Sequence, residues 1–191
     1  MAVTKGQGEE RILPALEAGH RLFGENRVQE AKAKWPKLKA RFPDIELHLI
    51  GPLQSNKARE AVAIFDVIHS LDRSTLAHLL KDEIARANKK MNLFIQVNTG
   101  NEPQKAGIAP ENAGSFVNKC RELKLSVAGL MCIPPAGKDP MPHFALLRKL
   151  GRENGLPYLS MGMSDDFELA VEMGATHVRI GTAIFGARLK V

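Results

Sequence analysis

The stretch LSMGMSDDFELAVEMGATHVRIGTAIFG, residues 159–186, decides the reading of the chain. A short apolar run at 158–161 ends in Gly162 and Ser164. Asp165 and Asp166 then open an amphipathic segment that closes at Gly174. A second run, HVRI at 177–180, leads through Gly181 and Thr182 into Ala183, Ile184 and Phe185. The pattern is strand, small polar loop, helix, strand, small polar loop, helix. Each loop sets Gly and hydroxyl residues beside a helix start. Backbone N–H groups there lack intrahelical partners and can hold a phosphate. Capping alone would explain one such loop. Two in succession match the place where a (β/α)8 barrel keeps its phosphate site.

Upstream the same alternation repeats. Strands are expected at 2–4, 21–23, 45–50, 67–70, 93–98 and 127–132. Helices are expected at 9–18, 28–38, 56–65, 72–88, 110–123 and 142–154, with Pro36 interrupting the second. Regular strand–helix alternation argues for a parallel sheet. Eight such units in 191 residues predict an α/β fold, a compact (β/α)8 TIM barrel forming a single domain over 1–191. An open doubly wound sheet is the alternative. No G-x-G-x-x-G follows the first strand to support it.

Hydrophobic content of 44% and charged content of 25% fit an ordinary globular protein. No apolar run approaches membrane-spanning length, and MAVTKGQG has no apolar core of a signal peptide. The expectation is a cytoplasmic protein without a membrane partner. Cys120 and Cys132 have no metal-like spacing and imply no disulfide framework. The net charge of +6 is spread over helices, as at Lys32, Lys34, Lys37 and Lys39, with one Trp and one Tyr in the chain. That favours a solvated surface over a nucleic-acid face.

In a barrel of this kind the C-terminal strand ends converge on one mouth. Those ends carry Lys5, Asn26, residues 48–51 with His48, Ser70, Asn98, residues 131–132, residues 160–164 and residues 179–182. A partly buried lysine near a cation loses its proton more easily, and the neutral amine can form a Schiff base with an aldehyde. Lys5 is placed for that, although a lysine reaching out to solvent would look the same. With a phosphate site across the mouth, a phosphorylated aldehyde such as pyridoxal 5′-phosphate (PLP) has both handles. Arg179 could face the pyridine nitrogen and keep it unprotonated, or it could pair with a carboxylate at the mouth.

The chain resembles the YggS/PROSC family of pyridoxal phosphate homeostasis proteins, whose fold is similar to the barrel domain of alanine racemase. The matching motifs are AVTK at 2–5, FGEN at 23–26, HLIGPLQSNK at 48–57, QVN at 96–98, GLMCIPP at 129–135, LSMGMSDDFELAV at 159–171 and VRIGTAIFGAR at 178–188. The resemblance implies Lys5 as the lysine that binds PLP. It implies Ser164, Gly181 and Thr182 as phosphate ligands, and Arg179 facing the pyridine nitrogen. Asn26 and the Ser160, Met161 and Gly162 segment would line the pocket. Family members usually carry a further helix before the first strand, and here only Met1 precedes AVTK. The expectation is a barrel lacking that helix and less stable or more association-prone than one with it, which melting temperatures with and without a restored helix would test.

Two functions from different classes remain in view. One is a PLP carrier or regulator in PLP homeostasis, without turnover, a monomer that serves PLP-dependent apo-enzymes. The other is a PLP-dependent amino-acid racemase. Racemisation needs an acid/base on each face of the cofactor. Lys5 could serve one face, but the only tyrosine, Tyr158, sits at the start of a strand, at the wrong end of the barrel. Cys132 and His48 are weaker substitutes. A barrel enzyme acting on a phosphorylated sugar would explain the phosphate loops but gives Lys5 and Arg179 no joint purpose. The carrier is the preferred reading.

Overall fold

The computed structural model describes residues 1–186; Ala187 and Arg188, the end of the last motif, lie outside the described residues. The first strands and helices are β1 (Ala2–Val3), α1 (Glu9–Glu17), β2 (Leu22–Glu25), α2 (Val28–Arg41), β3 (Glu46–Leu49) and α3 (Ala58–Ile64). They continue as β4 (Val67–Leu71), α4 (Ser74–Arg86), β5 (Asn92–Val97), α5 (Ala113–Glu122) and β6 (Ser126–Cys132). The last are α6 (Met141–Glu153), β7 (Tyr158–Met163), α7 (Phe167–Glu172), β8 (His177–Arg179) and α8 (Thr182–Phe185).

The strands form one sheet in chain order, and each pairs in parallel with the next. The sheet closes on itself. The Val3 N–H donates to the Ile180 carbonyl at 2.7 Å, and the Ile180 N–H donates to the Met1 carbonyl at 3.0 Å. Ala2 bridges Ile180 in parallel. The expected (β/α)8 barrel is therefore the fold.

Side chains alternate across each strand and separate two buried regions. Outward-facing residues meet the helices. Phe23, Trp35, Leu47, Leu76 and Phe144 belong to this larger apolar layer. Inward-facing residues fill the barrel, where Val67, Phe94 and Met131 make a small apolar cluster. Parallel strands covered on both faces read as near-continuous apolar runs, as in the wholly buried VIHSL of β4.

Two details differ from expectation. Pro36 does not interrupt its helix, because α2 runs through it from Val28 to Arg41. Lys34 and Trp35 before it and Leu38 after it are all buried against the sheet, which outweighs the one lost backbone hydrogen bond. The helices after β7 and β8 are short, and Asp165 lies in a turn before α7. Asp166 closes that turn, its Oδ1 accepting the Met163 N–H at 2.6 Å.

Candidate functional site

Lys5 follows β1 at the C-terminal mouth. It is half-buried and has no hydrogen-bond or ion-pair partner among the described residues. With Asn26, Arg27, Gln54 and Lys57 it lines a groove of about 720 Å³. Barrel closure brings the loop after β8 beside this strand. A Cβ built on Gly181 would lie 3.4 Å from the Val3 carbonyl oxygen. The N–H groups of Gly181 and Thr182 make no backbone hydrogen bond among the described residues. Ser164 lines a separate cavity of about 770 Å³ with Pro134, Pro135, Met163 and Asp165. Gly162 turns the end of β7 with φ +91, where a Cβ would collide with Ala170.

Lys5, Asn26, Gly181 and Thr182 are thus gathered around the first strand, whereas Ser164, after β7, opens on a cavity that shares no lining residue with the Lys5 groove. Ser160 is deeper. Its hydroxyl points into the barrel, so by alternation Met161 faces the helix layer and offers the mouth only its backbone.

Arg179 ends β8 inside the barrel and is 5% exposed. Its Nη1 donates to Ser160 Oγ at 2.9 Å and its Nη2 to the Cys132 carbonyl at 2.8 Å. No carboxylate lies within ion-pair distance among the described residues. Of the two readings open from sequence, pairing with a carboxylate finds no support among the described residues. A buried guanidinium held only by neutral acceptors is costly by itself. Its remaining donors suit an acceptor nitrogen or an anion entering from the mouth.

His48 is not at the mouth, where the sequence reading put it. It is 1% exposed, inside the barrel, with its Nε2 2.8 Å from Glu46 Oε1. Glu46 is the first residue of β3 and so marks the opposite, N-terminal rim. His48 Nδ1 lies 2.9 Å from His69 Nε2, and His69 Nδ1 lies 2.9 Å from Ser160 Oγ. Burial, then the nearby His48 and Arg179, push the His69 pKa well below its ordinary value. His177, edge-on to Phe94 and Tyr158 on the same rim, is pushed down to about 4, mainly by burial. Tyr158 stays on that rim, away from Lys5, as its place at the start of β7 requires.

Sequence reasoning missed His69 and Lys34. His69 lies one residue before the strand end read at Ser70, and a histidine amid the apolar residues of a buried strand is its signal in the sequence. Lys34 shares a helix face with Ala31 and Leu38, and it is buried there with them.

The residues present fit PLP. Among the described residues, an amine without a partner, a buried guanidinium without a counter-ion and N–H groups without a backbone acceptor in a glycine turn lie at the C-terminal strand ends.

Comparison with known proteins agrees. Residues 1–189 match the family "Alanine racemase, N-terminal domain". The chain is 41% identical to the pyridoxal phosphate homeostasis protein of Aquifex aeolicus, covering 98% of this chain and 86% of that one. It is 42% identical to the protein of the same name from Pseudomonas aeruginosa, over 98% of this chain and 84% of that one. Among solved structures it is similar to PipY of Synechococcus elongatus with PLP bound, at TM-score 0.88 and 40% identity, covering 97% of this chain and 91% of that chain. An alanine racemase from Bartonella henselae shares the fold, at TM-score 0.73 and 22% identity over 98% of this chain and 54% of that one. The chain belongs to the alanine racemase N-terminal domain family, in the branch whose curated members are named pyridoxal phosphate homeostasis proteins.

Proposed function

We propose that this chain binds PLP at the C-terminal mouth of its barrel and serves PLP homeostasis as a carrier or regulator. The observation that carries this is Arg179, a buried cation with no carboxylate partner among the described residues, ending the strand next to the one that presents Lys5. When bound, PLP supplies an aldehyde carbon that condenses with an amine, a ring nitrogen and a phosphate dianion. Lys5 is the amine. Arg179 donates toward the ring nitrogen. The Gly181 and Thr182 N–H groups and the Ser164 hydroxyl take the phosphate, and Asn26, Ser160, Met161 and Gly162 shape the pocket. The unit that does this is the whole chain, 1–191, as a single PLP-binding domain.

A carrier is favoured over a racemase by the placement of acid/base groups. Tyr158 is on the far rim, and His48 is sealed inside the barrel. Burial pushes the Cys132 thiol up to about 12, so it is a poor base. The curated relatives are named for homeostasis, whereas the racemase likeness is one of fold. No helix among the described residues is long and apolar enough to cross a membrane. We place the protein in the cytoplasm, as a monomer that hands PLP to apo-enzymes.

The test is the visible absorption spectrum after PLP is added and excess removed. A band that borohydride fixes on the Lys5 peptide, and that Lys5→Ala loses, supports the reading. Absence of a band overturns it. Racemase and transaminase assays on the same sample separate carrier from enzyme.

A further inference from the structure

We propose that Glu46, His48, His69 and Ser160 form a one-directional hydrogen-bond array that positions Arg179, so that a carboxylate on the N-terminal rim tunes the donor facing the ligand at the opposite mouth. What Arg179 faces rests on the PLP reading above. The array itself rests on the geometry.

Its two ends favour one direction. A guanidinium only donates and an ionised carboxylate only accepts. Arg179 Nη1 donates to Ser160 Oγ at 2.9 Å. The Ser160 hydroxyl hydrogen is then donated to His69 Nδ1, also 2.9 Å away. That leaves the neutral His69 with its proton on Nε2, which donates to His48 Nδ1 at 2.9 Å. His48 in turn carries its proton on Nε2 and donates to Glu46 Oε1 at 2.8 Å. Every donor points from Arg179 toward Glu46. The reversed order, with both rings neutral, would aim the His48 Nε2 lone pair at a carboxylate.

The surroundings keep His69 neutral. It is fully buried and stacks on Phe94 with ring centroids 4.1 Å apart. The cations and titratable groups that face it are Arg179, His48 and His177. Glu46 is the one acid in the array, and hydrogen bonds in a chain polarise one another. An acceptor at Glu46 therefore sharpens each donor behind it and strengthens the Ser160 lone pair that anchors Arg179. Without it, either imidazole can flip its tautomer. A His69 Nδ1–H would then point at Ser160 Oγ and leave the serine hydrogen without its acceptor.

The test reads tautomers and ligand affinity together. Histidine-labelled ¹⁵N NMR of the ligand-free protein reports the His69 and His48 nitrogens, and absorbance titration with PLP reports affinity. Glu46 is exposed, so Glu46→Leu leaves the core intact, and the melting temperature serves as a control. The expected result is wild-type His69 protonated at Nε2 and bare at Nδ1. Glu46→Leu should mix the tautomers and weaken PLP severalfold, and Glu46→Gln, which keeps a carbonyl acceptor, should restore both. A wild-type His69 protonated at Nδ1 overturns the proposal, as does a Glu46→Leu protein with unchanged tautomers or unchanged affinity. A wild-type protein that binds no PLP overturns the function proposed above, and the tautomers of the ligand-free protein then decide the array alone.

Discussion

Lys34 Nζ lies 2.6 Å from Glu25 Oε1, and both side chains are buried beside the segment that carries Lys5. Lys34 also donates to the carbonyls of Thr4 at 2.7 Å and Gln7 at 3.0 Å. Glu25 Oε1 accepts from Thr4 Oγ1 at 2.6 Å and from Trp35 Nε1 at 2.9 Å. The backbone on both sides of Lys5 is thereby tied to helix α2.

Removing one partner leaves the other as a buried, unpaired charge. Lys34→Met should destabilise the protein by about 3–5 kcal/mol in urea melts. It should also weaken PLP binding, because the Lys5 segment loses two anchors. A loss below about 1 kcal/mol, the range of surface pairs, would show that the pair contributes no more than an exposed one.

Gly51 packs directly on the backbone of Asn26, and a Cβ there would overlap the Asn26 carbonyl oxygen. Gly51→Ala should push Asn26 out of the groove it shares with Lys5. The expected cost is about 1–3 kcal/mol of stability, as for overpacking in a core, together with weaker PLP binding. Unchanged affinity would mean that Asn26 does not shape the pocket.

Acid should destabilise the protein through its buried histidines. His177 titrates near 6.5 when unfolded and is lowered to about 4 when folded. Between those values the unfolded chain binds more protons, so stability is full above the unfolded value and is lost as pH falls through the folded one. His177 is only partly buried, so with solvent screening its share is about 1–2 kcal/mol. His69 shifts in the same direction. Urea melts from pH 7 to pH 4 should show the decline, and His177→Phe should flatten it. An identical slope in that variant would assign the acid sensitivity elsewhere.

Both cysteines should be inert in the folded protein. Burial raises Cys120 to about 11 and Cys132 to about 12. An aromatic disulfide reagent at pH 8 should therefore react only on unfolding. Rapid labelling of either thiol in native protein would contradict this burial.

The barrel was legible because its signal is local and repeated. Apolar runs of strand length, each followed by an amphipathic helix, leave few ways to cover both faces of a parallel sheet. The strand ends were legible for the same reason, which brought out Lys5, Asn26 and Arg179. Depth along a strand was not. His48 was placed at the mouth because its strand was read as ending there, but β3 runs from Glu46 and sets His48 inside the barrel.

The sequence by itself determined the strand–helix periodicity, the fold it requires, and the amine and guanidinium at the strand ends. Only the tertiary structure decided their partners. Arg179 has no carboxylate partner among the described residues, Lys34 meets Glu25, and Glu46 reaches Arg179 through His48, His69 and Ser160. Those contacts join different strands, or a strand to a helix, and depend on register and side-chain direction across the closed barrel. Periodicity along one chain carries no information about either.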